Sequence, residues 1–301
     1  MQVYLPIAEI TVDALLLLGV GFAVGWLSGL FGVGGGFLMT PLLILIGVPS
    51  AVAVSTSATQ TMGASVSGLM AHWRRGNVDV RMGLTLLLGG FAGSALGVQL
   101  FALVRRAGQA DFVVAVFYIV VLGIVGGLMV TESARAILRR RKAAPRRLHQ
   151  HLWIHGLPFK ARFRASRLYI SILPPIFVGM FVGLLSAVMG VGGGFLLVPL
   201  MIYVLGMPTS VVIGTSLFQI VFVTANVTFL QSIATHSVDI VLALLLLAGS
   251  VAGAQFGASM GTRLRGEETR GLLGLLVVAV AAQLLWGLLQ RPDELFSLMH
   301  G

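Results

Sequence analysis

A glycine-rich heptapeptide, GVGGGFL, occurs twice in this sequence, 158 residues apart, and each copy lies inside a long apolar stretch. The surrounding segments, residues 28–41 and 186–199, share 9 of 14 amino acids. Because each glycine costs about 1 kcal/mol relative to alanine inside a helix, four glycines in five residues predict a helix break. At membrane depth, the backbone N–H groups freed by a break must be paired by protein, water or a ligand. A duplicated break of this kind indicates the binding site of a membrane transporter.

The composition places the chain in a lipid bilayer. Hydrophobic residues make up 57% of it and charged residues 10%, against about 25% charged residues in soluble domains. Apolar runs of about 20 residues, each long enough to cross a hydrocarbon core about 30 Å thick, recur along the chain. They cover residues 12–31, 50–71, 80–104, 112–130, 170–189, 209–230, 239–261 and 271–289. We therefore predict an all-α polytopic membrane protein.

The duplication extends beyond the glycine motif. Pro41 matches Pro199 at an offset of 158 residues, Thr56 matches Thr215 at 159, and Asp79 matches Asp239 at 160. These offsets predict a first transmembrane repeat over 12–130 and a second over 170–289, joined by a basic linker over 131–169. Each repeat has a span that ends at the glycine break, a short apolar segment (36–47 or 194–205) and three further spans.

The short segments decide how the repeats are oriented. About 12 residues give roughly 18 Å of helix, so each segment is a half-helix, a tilted short span or a re-entrant segment. If both cross the membrane and the linker is cytoplasmic, 17 Lys and Arg residues lie inside and 3 outside. If neither crosses, the division is 15 to 5. The positive-inside rule favours the first arrangement, which is an inverted repeat of about five segments each, with both termini outside.

The net charge of +10 comes mainly from the linker. Eleven of the twenty Lys and Arg residues lie between Arg135 and Arg167. This concentration predicts a cytoplasmic topology determinant that contacts anionic lipid headgroups. Aromatic residues among the basic ones over 151–169 indicate an interfacial amphipathic segment. Since the basic residues form no stripe in a soluble domain, we predict no binding to nucleic acid.

A polar cluster follows each short segment and supplies candidate substrate ligands. The first comprises Ser55, Thr56, Ser57, Thr59, Gln60 and Thr61, and the second comprises Thr215, Ser216 and Gln219. Polar side chains in a span face the bundle interior or a cavity, although Ser, Thr and Gln also join helices as packing contacts. Their repetition beside the glycine breaks favours a site. The predicted substrate-binding residues are Gly32, Val33, Gly34, Gly35, Gly36, Thr56, Ser57, Gln60, Gly190, Val191, Gly192, Gly193, Gly194, Thr215, Ser216, Gln219 and Asn226.

The same pattern favours an anion as substrate. A half-helix that begins after Gly36 or Gly194 directs its free N–H groups and the positive end of its dipole toward the glycine turn. Two such ends bind an anion without a cationic side chain. The apolar spans contain no deep carboxylate, which indicates a uniporter or a carrier whose substrate brings its own proton.

Other chemistries find no support in the sequence. The glycine motif is neither a dinucleotide fingerprint nor a phosphate-binding loop, so we predict no cofactor. His149, His151 and His155 do not have a zinc spacing, and we predict no metal. Because no span has paired His, Asp or Glu residues at a catalytic spacing, we predict that the chain is not an enzyme.

Two halves that each contain G-x-G-G-G-F-L-x-x-P, a Ser/Thr-rich helix with Gln, and Val-Asp before the next span resemble the TauE/SafE family. This is the sulfite exporter or toluene-sulfonate uptake permease group. The resemblance implies a permease of the bacterial inner membrane that moves sulfite, an organosulfonate or a related anion. Because an inside-negative membrane potential drives anions outward, we predict a secondary transporter that exports its substrate. The alternatives are an anion channel, or a permease for another small anion of the carboxylate or phosphonate type. A homo-oligomer is compatible with this assignment, and the linker has no counterpart in the family pattern.

Overall fold

The computed structural model describes residues 2–31, 36–139, 158–261 and 266–289 of the 301-residue chain. Within these ranges the chain forms two halves with the same order of elements, a β-hairpin followed by five helices. The first half contains β1 (Gln2–Leu5), β2 (Ile10–Asp13), α1 (Ala14–Phe31), α2 (Gly36–Leu45), α3 (Ser50–Arg74), α4 (Val80–Arg106) and α5 (Ala110–Arg139). The second contains β3 (Lys160–Phe163), β4 (Leu168–Ser171), α6 (Leu173–Met189), α7 (Gly194–Tyr203), α8 (Thr209–Ala234), α9 (Ile240–Gly261) and α10 (Gly266–Leu289).

The helices coincide with the predicted apolar segments, and the chain is a helical membrane protein. The two short segments are helices of ten residues that begin at Gly36 and Gly194. Four helices have a described stretch that is long and apolar enough to cross a bilayer: Val80–Arg106, Ala110–Thr131, Val211–Ala234 and Ile240–Gly257. Helix α3 has 25 residues, but its row of Ser, Thr and Gln makes it less apolar than these four.

The two β-hairpins were not predicted from the sequence. Val3 pairs with Val12 in the first hairpin, and Ala161 pairs with Ile170 in the second, at an offset of 158 residues. The sequence analysis assigned residues 160–169 to the linker and treated them as an amphipathic segment, whereas the structure forms a hairpin there. Helix α5 also continues to Arg139, inside the predicted linker. The rest of the linker, residues 140–157, lies outside the described residues.

The two halves pack across one another rather than side by side. Helix α1 packs on α9 and helix α6 packs on α4, so each half supplies one helix to the other. Glycines allow the close approach: a methyl group at Gly21 would lie 2.7 Å from the carbonyl oxygen of Leu246, and one at Gly97 would lie 2.7 Å from that of Leu184. Interlocked halves of this kind cannot separate as two independent domains.

Helices α3 and α8 cross at the centre of the bundle in opposite directions. The Ser55 hydroxyl near the start of α3 donates to the Ser237 carbonyl just after the end of α8 (2.6 Å). Further along, the hydroxyls of Thr59 and Thr228 lie 3.2 Å apart. Near the end of α3, the ring centroid of Trp73 lies 6.1 Å from that of Phe218. Equivalent helices of the two halves are therefore antiparallel.

Each hairpin turn contacts a helix start in the other half. The Ile7 N–H donates to Asp239 Oδ2 (3.1 Å), and the Ser166 N–H and hydroxyl donate to Asp79 Oδ2 (2.9 and 2.6 Å). Asp79 precedes α4, whose 27 residues span about 40 Å and end at Arg106. Arg105, near that end, donates to the Thr235 carbonyl, close to Asp239. We call the end of the bundle near Asp239 the hairpin-1 face and the end near Asp79 the hairpin-2 face.

Candidate functional site

The second glycine turn has a conformation that favours glycine at three positions. Gly190, Gly192 and Gly193 have φ angles of 70°, 68° and 72°, in the left-handed region that side chains with a Cβ disfavour. Gly190 ends α6, where its N–H donates to the Ser186 carbonyl (2.8 Å). Gly193 starts α7, and its carbonyl accepts from the Leu197 N–H (2.7 Å). The motif therefore supplies a C-cap at Gly190 and an N-cap at Gly193, three residues apart.

The second turn is buried between α3 and α8. Gly190 lies against the backbone of Val54, on α3. A methyl group at Gly192 would lie 2.8 Å from Thr61 Cγ2 and 2.9 Å from Ile220 Cγ2 and Thr224 Cγ2. Such distances are shorter than van der Waals contact, so no larger residue fits without displacing a neighbour. The turn therefore contacts Thr61 of the first polar cluster, and on α8 it contacts Ile220 and Thr224, which follow the second cluster in sequence.

The starts of the two half-helices meet at this turn. Gly36, the first residue of α2, contacts Thr61 Oγ1, and a methyl group at Gly36 would lie 2.7 Å from the carbonyl oxygen of Val191. The rings of Phe37 and Phe195, equivalent residues in the two halves, have centroids 5.6 Å apart. Residues 32–35, which complete the first predicted turn, lie outside the described residues. The structure thus brings Gly36 and residues 190–194 together.

The first turn of α7 offers backbone donors at this meeting point. Gly193 precedes the helix and has no side chain to cap it. The first N–H groups of a helix have no partner within the helix, and the helix dipole places partial positive charge there. Helix starts of this kind bind anions.

Several buried side chains on α3 and α8 have polar atoms without a hydrogen-bond partner among the described residues. Gln219 is fully buried, and neither its Oε1 nor its Nε2 has a partner. On α3, the Gln60 Oε1 and the Ser57 hydroxyl are also buried without a partner among the described residues. Burying an amide or hydroxyl unpaired costs about 1–3 kcal/mol, so such atoms indicate the place of a ligand or water. The other atoms of this group outside the predicted site are Ser50 Oγ, Thr61 Oγ1, Ser65 Oγ, His72 Nδ1, Ser186 Oγ and Gln231 Oε1.

Four other predicted residues have hydrogen-bond partners in the protein. Thr56 Oγ1 accepts from the Asp239 N–H (3.2 Å), and Thr215 Oγ1 accepts from the Asp79 N–H (2.9 Å). The Ser216 hydroxyl donates to the Ile213 carbonyl (2.8 Å). Asn226 Nδ2 donates to Ser94 Oγ (2.8 Å), between α8 and α4. These bonds join helices or turns, and substrate contact by these four residues stays a prediction.

Thr61, which lies between the start of α2 and the second glycine turn, is not among the site residues predicted from the sequence. Thr61 belongs to the first polar cluster, but the predicted site includes from that cluster only residues that have a polar match in the second half. The residue equivalent to Thr61 is Ile220, which is apolar, so the requirement for a polar match excluded Thr61. Its spacing of four residues from Ser57 was the available signal, because it places both hydroxyls on one helical face.

The buried part of the protein is uncharged around the turn. Among the described residues, the buried charged side chains are Asp79 and Asp239. Asp79 Oδ1 accepts from the Met82 N–H (3.1 Å) and Asp239 Oδ1 from the Leu242 N–H (3.0 Å), so both carboxylates cap helices at the bundle ends. No group of His, Asp and Glu side chains that could hold a metal ion occurs in the described part of the chain. His149, His151 and His155 lie outside that part.

A cleft of about 350 Å³ opens at the hairpin-1 face. It contains one cation, Arg105, and two carboxylates, Glu9 and Asp111. The Ser50 N–H, at the start of α3, donates to Asp111 Oδ1 (3.3 Å), so a carboxylate already lies at this helix start. Because carboxylates outnumber cations in this cleft, its charge disfavours an anion. The buried turn, with its backbone donors, is the better candidate for an anion site.

Comparison with known proteins agrees with this architecture. The chain is 30% identical over 281 residues to a "Probable membrane transporter protein" of Xylella fastidiosa (strain Temecula1 / ATCC 700964), covering 92% of this chain and 97% of the relative. It is 25% identical over 279 residues to "Probable membrane transporter protein YunE" of Bacillus subtilis (strain 168), covering 90% and 97%. It is 26% identical over 265 residues to "Probable membrane transporter protein YjnA" of the same strain, covering 88% and 97%.

No solved structure matches the chain. The family described as "Sulfite exporter TauE/SafE" matches residues 17–284, a range that begins in α1 and ends in α10. The match includes both glycine motifs and both polar helices. The chain is therefore a membrane transporter of the sulfite exporter TauE/SafE family.

Proposed function

We propose that this chain is a multi-pass secondary transporter that exports a small sulfur-containing oxyanion, sulfite or an organosulfonate. The observation that carries this proposal is the buried amide of Gln219, whose two polar atoms lack a partner among the described residues. An amide in that situation offers two N–H donors and one acceptor. It lies on α8, next in sequence to Ile220, which contacts the second glycine turn, and its Nε2 would lie 3.0 Å from a methyl group at Gly90 of α4.

The chemistry of the site favours a singly charged oxyanion. Hydroxyls, amide N–H groups and helix starts are neutral donors, and several of them pair with several oxygens of one anion. Because no buried Lys or Arg occurs among the residues whose burial is described, the site supplies no full positive charge. A multiply charged anion would then carry a larger desolvation cost. The family's printed description, sulfite exporter, makes sulfur oxyanions the first candidates.

We further propose that the two halves are inverted repeats in the bacterial inner membrane. The antiparallel crossing of α3 and α8 supports this orientation, and so does the greater number of Lys and Arg residues on the linker side. In this arrangement the hairpin-1 face is periplasmic and the hairpin-2 face is cytoplasmic. The basic linker then contacts anionic headgroups of the inner leaflet.

The membrane potential supplies a direction. An inside-negative potential contributes about 2.3 kcal/mol per charge per 100 mV, and it drives anions outward. The buried carboxylates of Asp79 and Asp239 cap helices at the bundle ends and are not placed beside the glycine turn. The proposal therefore needs no proton-carrying carboxylate at the site.

Flux measurements in proteoliposomes test this function. Sulfite, sulfoacetate, taurine and sulfate are offered to the wild type and to Gln60→Ala and Gln219→Ala. Gln99→Ala, which changes an exposed glutamine of α4, is the matched control. We expect saturable flux with counterflow for at least one sulfur oxyanion, lowered about tenfold or more by either site variant and unchanged by the control. Flux that does not saturate indicates a channel, and equal flux in all four proteins contradicts the site.

A further inference from the structure

Three hydroxyl groups form a row along α3 that the predicted site only partly includes. Ser57, Thr61 and Ser65 follow one another at intervals of four residues, which places them on one face of the helix. Each residue is at most 1% exposed, and none of the three hydroxyls has a hydrogen-bond partner among the described residues. We call these three residues the α3 hydroxyl row.

The absence of partners is unusual for serine and threonine in a helix. Their hydroxyls commonly donate to the carbonyl three or four residues earlier. Several others in this protein do so, as in the bonds from Thr224 to the Ile220 carbonyl (2.7 Å) and from Thr85 to the Met82 carbonyl (2.8 Å). The α3 hydroxyl row is therefore oriented away from the local backbone acceptors, at a cost that a ligand would offset.

The equivalent face of α8 has a different character. Ser57, Thr61 and Ser65 correspond to Ser216, Ile220 and Thr224 at an offset of 159 residues. The hydroxyls of Ser216 and Thr224 donate to backbone carbonyls, and Ile220 is apolar. The pseudo-symmetry of the fold is thus broken at the centre, and the hydroxyls that lack a described partner lie on the α3 side.

Thr61 occupies the central position of the row. Its Oγ1 contacts Gly36 at the start of α2, and its Cγ2 lies against Gly192 in the second turn. It therefore touches the start of α2 and the turn that precedes α7, and its hydroxyl has no partner among the described residues. The row continues toward the hairpin-2 face, where His72 Nδ1 is buried without a partner in the described part of the chain and Arg74 and Arg75 are exposed.

We propose that the α3 hydroxyl row is the substrate path on the hairpin-2 side, and that Thr61 binds the anion where the two half-helices start. This inference rests on the proposed function and adds a residue and a route to it. The anion moves from the exposed arginines along Ser65 to Thr61 and Ser57. The equivalent face of α8 offers no such path, because the hydroxyls of Ser216 and Thr224 are paired and Ile220 is apolar.

The test compares two threonines that contact the same glycine. Thr61→Val and Thr224→Val make the same change, and both methyl groups lie against Gly192. Thr61→Val removes a hydroxyl that has no partner among the described residues, whereas Thr224→Val removes a paired one. In proteoliposomes with the transported anion, we expect Thr61→Val to raise KM about tenfold, Thr61→Ser to stay near wild type, and Thr224→Val to stay within about twofold. Ser65→Ala should lower flux about threefold or more, and Ser67→Ala, an exposed serine on the same helix, should not.

Thermal unfolding in detergent separates a binding role from a structural one. Without substrate, Thr61→Val should unfold at the wild-type temperature or above, because it removes an unpaired buried polar group. Added anion should stabilise Thr61→Val less than it stabilises the wild type, and it should stabilise Thr224→Val as much as the wild type. Equal KM values for Thr61→Val and Thr224→Val overturn this inference. If Gln219→Ala still lowers flux in that case, the proposed function stands; if the wild type moves none of the anions, the proposed function itself fails.

Discussion

The backbone N–H of Asp239 donates to Thr56 Oγ1 across the two halves of the protein, at 3.2 Å. The equivalent bond, from the Asp79 N–H to Thr215 Oγ1, is 2.9 Å long. Each threonine sits on a central helix of one half and holds the start of a helix of the other half. Asp79 and Asp239 also accept hydrogen bonds from the two hairpin turns. At each end of the bundle, one aspartate therefore connects a central helix, a helix start and a hairpin.

The threonine bonds predict a stability effect. Thr56→Val or Thr215→Val removes the acceptor and leaves a buried backbone N–H unpaired, at a cost of about 1–3 kcal/mol. Each variant should therefore lower the unfolding temperature in detergent. Thr85→Val, whose hydroxyl bonds within its own helix, is the control. Unchanged unfolding temperatures together with a loss of anion binding would instead make these threonines substrate ligands.

The second glycine turn predicts a difference between two alanine substitutions. Gly192→Ala combines a positive φ with three methyl neighbours at 2.8–2.9 Å, so we expect little folded protein in membranes. Gly123→Ala, in α5, meets no atom within 4 Å and has a helical backbone. It should be neutral or stabilising by up to about 1 kcal/mol. Detergent-extracted yield and size-exclusion profiles measure both, and normal yield of Gly192→Ala contradicts the described turn.

The second hairpin predicts a local effect of one hydroxyl. Ser166→Ala removes the 2.6 Å bond to Asp79 Oδ2 but keeps the bond from the backbone N–H. The equivalent residue in the first hairpin is Ala8, so that hairpin already lacks this hydroxyl. We expect faster hydrogen exchange over 160–171 in Ser166→Ala and unchanged exchange in the first hairpin. Unchanged exchange in both hairpins would show that the hydroxyl does not hold the turn.

The absence of cysteine from the sequence makes the orientation easy to test. His236→Cys lies at the hairpin-1 face and Arg75→Cys at the hairpin-2 face, both at exposed positions. With a membrane-impermeant thiol reagent, we expect His236→Cys to react from the periplasm and Arg75→Cys only from the cytoplasm. Reaction of both cysteines from the same side rules out the inverted arrangement.

Local sequence rules predicted much of the fold because helix starts and stops leave local signals. Gly36 and Gly194 marked the starts of α2 and α7, and Asp79 and Asp239 marked helix starts as N-caps. The hairpins left a weaker signal. Their strands have four residues each, and residues 160–163 are rich in basic side chains that also suit a linker.

The partners of the polar clusters depend on contacts between the halves, which the sequence does not encode locally. Thr56 and Gln60 share a helical face, yet Thr56 meets the Asp239 N–H and Gln60 Oε1 meets no described partner. Repetition between the halves selected three residues that are paired, Thr56, Thr215 and Ser216, and three that have atoms without a described partner, Ser57, Gln60 and Gln219. Symmetry therefore did not distinguish the two kinds of residue, and it left out Thr61, whose equivalent is Ile220.

The position of a bound anion tests the central claim most directly. Selenite carries a heavier congener of sulfur, and its anomalous scattering locates it in crystals of the wild-type protein. We predict a selenium peak beside the second glycine turn, with anion oxygens within hydrogen-bond distance of the Gln219 amide, and its loss in Gln219→Ala. A peak confined to the cleft around Arg105, or a peak at the turn that Gln219→Ala leaves unchanged, would contradict the account.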